Sequence, residues 1–217
     1  MSNGRSNLIT PQVVVYSGLC LLCALGPLAL GMTREWLRPL VWLAVVLGYR
    51  LLEQFGYAPR SSRGERKAEW LFYAIYAGYS GSILLPAIEY AFIQRPFSPV
   101  IMIVGVALAV LGAWTRYQSV KTIGEHFSTH VEVRPGHELV DTGIMGVIRH
   151  PGYAGAMAFT LGAALVLHSY WSLLYVCLFY WPLLMMRIVY EEEELGRGLA
   201  GYRDYMKRTK RLIPYVF

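Results

Sequence analysis

Charge along this 217-residue chain is segregated into blocks. Uncharged, mostly apolar runs occupy 13–31, 39–49, 71–88, 96–115 and 151–186, and short stretches rich in Arg, Lys and Glu separate them. Runs near 20 residues match the helix needed to cross about 30 Å of hydrocarbon. The second run is short, so its helix must extend through Arg50 and Glu53. The last run holds 36 residues. As one helix it would measure about 54 Å, too long for a single crossing. It is expected to fold back at His168-Ser169-Tyr170, so that the last two of six helical segments form a hairpin. The pattern predicts an all-α, polytopic membrane helical bundle with about six apolar helical segments and a cytoplasmic cap.

Composition agrees with the pattern. With 55% hydrophobic residues, only 16% charged and a mean hydropathy of +0.39, the chain is an integral membrane protein. Lys and Arg collect on the cytoplasmic side of short loops. If the N-terminus lies inside, every Lys and Arg except Arg34, Arg38 and Arg95 falls on that side, which predicts cytoplasmic termini. The net charge of +6 then reads as orientation and contact with anionic membrane lipids, not nucleic-acid binding. The first run reads as an uncleaved span, because its basic flank holds only Arg5 and no small-x-small cleavage site follows. Cys20, Cys23 and Cys177 fall inside spans, where they pack as small apolar groups.

Two parts are expected to form one integrated domain: transmembrane helices 1 to 4 in 1–115, and a cofactor-binding cap, terminal hairpin and interfacial C-terminal segment in 116–217. The polar insert 116–150 carries four of the five histidines and alternates turn signals with short apolar patches. It is expected to form an ordered cap at the membrane surface. The segment 195–217 places Tyr202, Tyr205 and basic residues beside Leu212-Ile213-Pro214, which suits an interfacial helix.

Candidate chemistry lies at the two ends of the last apolar run. Glu191 to Glu194 fan around a helix end whose dipole is already negative, with Arg187 in the weaker i,i+4 orientation. Stability alone does not favour this arrangement. Either the acids mark a solvated exit from the membrane, or some point inward to bind a cation or sugar hydroxyls. Arg149-His150-Pro151 opens the preceding helix, with proline suited to its first turn. Gly152, Gly155, Ala156 and Gly162-Ala163-Ala164 favour close approach of a neighbouring helix. A metal site at His126, His130, His137 and His150 is not expected, since no cysteine joins them and their spacing is not that of a helix face. Glu53 and Glu89 lie near span ends, where both can snorkel.

From about residue 111 to the C-terminus the chain resembles the isoprenylcysteine carboxyl methyltransferase family, among integral membrane methyltransferases that include phospholipid N-methyltransferases. The likeness rests on Gly124 to Phe127, Gly136-His137-Glu138-Leu139-Val140, Thr142-Gly143, Arg149-His150-Pro151-Gly152-Tyr153, Arg187 with Glu191-Glu192, Tyr202, Tyr205, and Arg211-Leu212-Ile213-Pro214. The resemblance implies S-adenosyl-L-methionine bound by His137, Leu139, Val140, Arg149, His150, Pro151, Tyr153, Glu191 and Glu192. It also implies Arg187 beside the reacting group. Met145 departs from the pattern, standing where members usually carry tyrosine.

On that basis the expected activity is S-adenosylmethionine-dependent methyl transfer to a lipid-anchored or amphipathic small-molecule acceptor, preferably a carboxylate such as a prenylated cysteine. Arg187 or Arg149 would position that carboxylate, and Glu191 or Glu192 would bind polar parts of the cofactor. No obligatory protein partner and no metal are expected. The alternatives are N-methylation of a phospholipid or small amphiphile, a membrane sterol-type reductase using NADPH, and a small transporter built on Arg50, Glu53 and Glu89.

Overall fold

A computed structural model describes residues 11–31, 35–56, 69–124 and 138–214. Among the described residues the fold is all-α, without strands, in the order α1 (Pro11–Ala29), α2 (Leu37–Gly56), α3 (Glu69–Phe92), α4 (Pro99–Ile123), α5 (Pro151–Val166), α6 (Tyr170–Gly198) and α7 (Tyr202–Arg208). Of these, α3, α4 and α6 are long and apolar enough to cross a membrane.

Helix α4 starts where Ser98 caps it through Oγ, which accepts from the Ile101 N–H at 3.5 Å, and where proline occupies the first turn. It runs on to Ile123, past the expected end of the apolar run and across the expected boundary at 115/116. The physical reason is that Arg116 finds an anion inside the bundle, with its Nε 3.0 Å from Glu53 of α2. A charge neutralised in this way need not end the helix.

The tightest helix pair is α4 against α5, and glycine makes it possible. A Cβ on Gly112 would lie 2.5 Å from the Gly155 carbonyl oxygen, and one on Gly162 would lie 2.5 Å from the Gly105 oxygen. The two contacts are a heptad apart on both helices, so the backbones meet along a continuous seam. Beside it a core forms from Trp42, Val46, Ile83, Tyr90, Phe159 and Val166, with the Tyr49 ring stacked on Phe159 at 3.9 Å between centroids.

The expected hairpin turn lies at residues 167–169. His168 adopts φ 57°, its N–H bonds to the Leu165 oxygen and the Ser169 N–H to the Ala164 oxygen, which is a Schellman ending with histidine in the left-handed position. Glu89 of α3 then caps the start of α6 by accepting from the N–H groups of Trp171 (3.2 Å) and Ser172 (2.8 Å), and Arg95 pairs with the same carboxylate. Glu89 is therefore committed to holding the hairpin.

Within α6 the residues Val176–Tyr180 form a π turn, in which the Trp181 N–H reaches the Val176 oxygen, and Pro182 follows at once. Buried Ser172, Val176, Tyr180 and Leu184 recur every four residues. In a pure α-helix such a series drifts by about 40° per step. The wider π turn offsets that drift and keeps the series facing the bundle.

The interfacial helix expected for the C-terminus is not what forms. Helix α6 extends to Gly198, among the described residues beyond it only Tyr202–Arg208 is helical, and both of its tyrosines are buried. Lys210 then pairs as a parallel bridge with Ile148, so residues 209–211 form a strap across the entry to α5.

Replacing Gly162 by Val places side-chain atoms against the α4 backbone, and the helices must part. We expect a loss of about 1–3 kcal/mol, read as a lower thermal midpoint in detergent. Gly18→Ala in α1, where a Cβ meets nothing within 4 Å, serves as the neutral comparison.

Candidate active site

The residues ahead of α5 cannot continue a helix, because Pro151 excludes its predecessor from the helical region and His150 sits at φ −124°, ψ 55°. The strap fixes this turn: the Arg149 N–H bonds to the Lys210 oxygen at 2.7 Å and the His150 N–H to the Arg211 oxygen at 3.0 Å. Beneath it lies buried Glu192. Its carboxylate accepts from Arg149 Nε at 2.8 Å, Arg211 at 2.8 Å and His150 Nε2 at 3.3 Å. Arg149 also donates to the backbone oxygens of Met206 and Thr209. One acid thus joins the head of α5, the end of α6 and the C-terminal strap.

In the first turn of α5, Tyr153 connects α5 and α6 on the open side. Its hydroxyl donates to Glu191 at 2.6 Å and accepts from Arg187 Nε at 2.9 Å. Arg187 and Glu191 are four residues apart on α6 and so share a face. Tyr205 closes the neighbouring wall, donating to the Met145 carbonyl at 2.6 Å. Burial pushes the Tyr205 phenol up to about 12, and burial with the Glu191 and Glu192 carboxylates raises Tyr202 further. Both phenols stay neutral at physiological pH and act as hydrogen-bonding groups, not bases.

These groups surround a cavity of about 330 Å³, a size that small-molecule sites commonly have. Its lining includes the polar Tyr153, Arg187 and Glu191 together with Phe72, Ile75 and Tyr79 of α3 and Tyr180 and Leu184 of α6. The arrangement offers a carboxylate and a guanidinium held by one phenol, beside an aromatic and aliphatic surface. That combination suits an amphipathic ligand with hydroxyl, ammonium or carboxylate groups at one end.

Leu139, Val140, Arg149, His150, Pro151, Tyr153, Arg187 and Glu191 all line the cavity, although the motifs lie far apart in sequence. Glu192 does not; it lies behind the wall, under the turn that Arg149 and His150 make. His137 falls outside the described residues, as do His126 and His130. Met145 lines the cavity as well. Three lining groups that the motif reading did not assign to the site are Arg50, Glu53 and Arg116. Their signal was present, since charges inside an otherwise apolar helix are costly and mark function or pairing. Reading Glu53 as a snorkelling span end and Arg116 as the first residue of the polar insert hid it.

Residues 104–197 match the isoprenylcysteine carboxyl methyltransferase (ICMT) family. The chain is 28% identical over 115 residues to protein-S-isoprenylcysteine O-methyltransferase B of Arabidopsis thaliana, covering 52% of this chain and 58% of that protein. It is 32% identical over 117 residues to protein-S-isoprenylcysteine O-methyltransferase of Saccharomyces cerevisiae, covering 52% of this chain and 49% of the yeast protein. A probable protein-S-isoprenylcysteine O-methyltransferase of Oryza sativa subsp. japonica is 29% identical over 117 residues, or 52% of this chain and 61% of the rice protein. The matches thus span roughly half to three-fifths of these relatives' lengths. The matched stretch holds most of α4, α5 and nearly all of α6, the helices that carry Tyr153, Arg187 and Glu191, and over it the chain is similar to the isoprenylcysteine carboxyl methyltransferase family.

Proposed function

We propose that this protein transfers a methyl group from S-adenosyl-L-methionine to the carboxylate of a lipid-anchored acceptor, such as a prenylated cysteine. The observation that carries this reading is the convergence of Tyr153, Arg187 and Glu191 on a cavity that Phe72, Ile75, Tyr79, Tyr180 and Leu184 also line. The family match over 104–197 and the names of the relatives support the same chemistry. The reading sets the cavity toward the cytoplasm with both termini, on the strength of the basic loops, and treats 1–115 and 116–217 as one unit because α2 and α3 line the same cavity.

The cofactor, when bound, supplies an electrophilic methyl on a sulfonium. The residues present fit it, since the cavity joins aromatic and aliphatic walls to an anionic side chain, as an adenosyl group bearing hydroxyls and an ammonium requires. We assign its binding to His137, Leu139, Val140, Arg149, His150, Pro151, Tyr153 and Glu191, with Glu192 acting from behind by fixing Arg149 and His150. Glu191 accepts hydrogen bonds from the ligand, and Tyr153 sets the distance between Glu191 and Arg187. Arg187 orients the acceptor carboxylate, which needs no base because it is already ionised. An in-line displacement then depends on alignment and dryness, which the buried tyrosines and the apolar wall provide. An amine acceptor would need a base, for which Glu191 or His150 is placed.

The transporter reading loses support because Glu89 is committed to capping α6 and Glu53 to Arg50 and Arg116. The reductase reading has no relative of that kind among those named above.

Calorimetric titration of the purified protein with S-adenosylhomocysteine should give saturable binding, and titration with NADPH none; the reverse would overturn the reading. Glu191→Gln should weaken S-adenosylhomocysteine binding by about 10-fold or more while the protein remains monodisperse. Glu192→Ala should act differently, because it strips the partner from a buried cluster of cations and costs about 3–5 kcal/mol of stability, seen as a fall in thermal midpoint before any ligand is added. With radiolabelled cofactor, methyl should enter S-farnesylcysteine as a base-labile ester. Label confined to phospholipid amines would favour N-methylation instead.

A further inference from the structure

A second polar group in the cavity lining is made by Tyr49, Arg50 and Glu53 of α2 with Arg116 of α4, and the three α2 residues lie outside the segment that matches the family. We propose that Glu53 is a positioning residue that holds the Arg116 guanidinium against the cavity, so that α2 completes a seat for the anionic head of the acceptor. The inference rests on the methyltransferase reading and deepens it by assigning how a carboxylate is preferred over an amine.

Glu53 acts as a bracket between two helices. Its Oε1 accepts from Arg116 Nε at 3.0 Å and from the Tyr49 hydroxyl at 3.0 Å, and its Oε2 accepts from Arg50 Nη1 at 3.2 Å. Tyr49 is itself fixed by its stack on Phe159 of α5. The far end of Arg116 donates to the Gly152 carbonyl at 3.3 Å, at the first turn of α5 and one residue before Tyr153. The guanidinium is thereby pinned between α2 and the head of α5, where it shares the cavity with Arg187.

Charge accounting gives the corner its preference. Arg50, Arg116, Arg149 and Arg187 against Glu53, Glu138 and Glu191 leave one positive charge in excess in the lining, and at this corner Glu53 is outnumbered by Arg50 and Arg116. In this lining an anionic headgroup completes the charge, whereas an ammonium would meet the guanidiniums of Arg50 and Arg116. An arginine at the edge of a bilayer turns toward solvent when nothing holds it. The Glu53 bracket prevents that.

The test is a double-mutant cycle on the full chain in detergent, using N-acetyl-S-farnesylcysteine as acceptor. Glu53→Gln should raise the acceptor KM about tenfold, leave S-adenosylhomocysteine affinity unchanged, and be partly rescued by Glu53→Asp. Because Glu53 acts through Arg116, the Glu53→Gln/Arg116→Gln pair should be no worse than Arg116→Gln alone. An unchanged KM or additive effects would overturn the inference. Loss of S-adenosylhomocysteine binding in Glu53→Gln would also overturn it, by marking a merely structural role. Failure of the unmutated protein to bind S-adenosylhomocysteine would instead remove the methyltransferase reading itself.

Discussion

The buried carboxylate of Glu192 is the interaction on which the rest of the site depends. It draws Arg149, His150 and Arg211 together from the head of α5 and the C-terminal strap, segments that share no local contact in sequence. A lone buried acid is costly, and so are two arginines beside it, but together they satisfy one another. The run of four glutamates is thereby divided by function. Glu192 is consumed by the fold, and its neighbour Glu191, about 100° further round the helix, faces the cavity.

The helical class, the turn at His168 and the small-residue contact of α5 were legible because each follows from local rules: run length, the limit on one crossing, and glycine spacing. The meeting of the Arg149 turn with the glutamates was legible only through the resemblance, since neither motif alone separates a ligand site from a solvated helix end. The allocation of roles between Glu191 and Glu192 was not legible, because it turns on helical phase. That phase is set in turn by the π turn at Val176–Tyr180, which no residue type announces.

The misread elements share a cause. Arg116 appeared to end a helix because its partner, Glu53, lies 63 residues away, and the strap looked like a surface helix because its pairing with Ile148 is equally remote. Sequence periodicity reports what a segment buries, not what pays the cost of a charge within it. For the same reason Glu89, just past the end of the third apolar run, gave no sign that it would cap the start of another helix.

The glycine seam has a mechanical consequence. Where α4 and α5 touch backbone to backbone, no side chain can swing aside to make room, so that flank behaves as a rigid spine. Where Ile75 and Tyr79 of α3 pack with Tyr180 and Leu184 of α6, the contact is made by side chains instead, and rotamer changes alone can widen a slot there. The protein thus has a fixed jaw and a yielding one, and the polar anchors at the head of α5 ride on the fixed jaw.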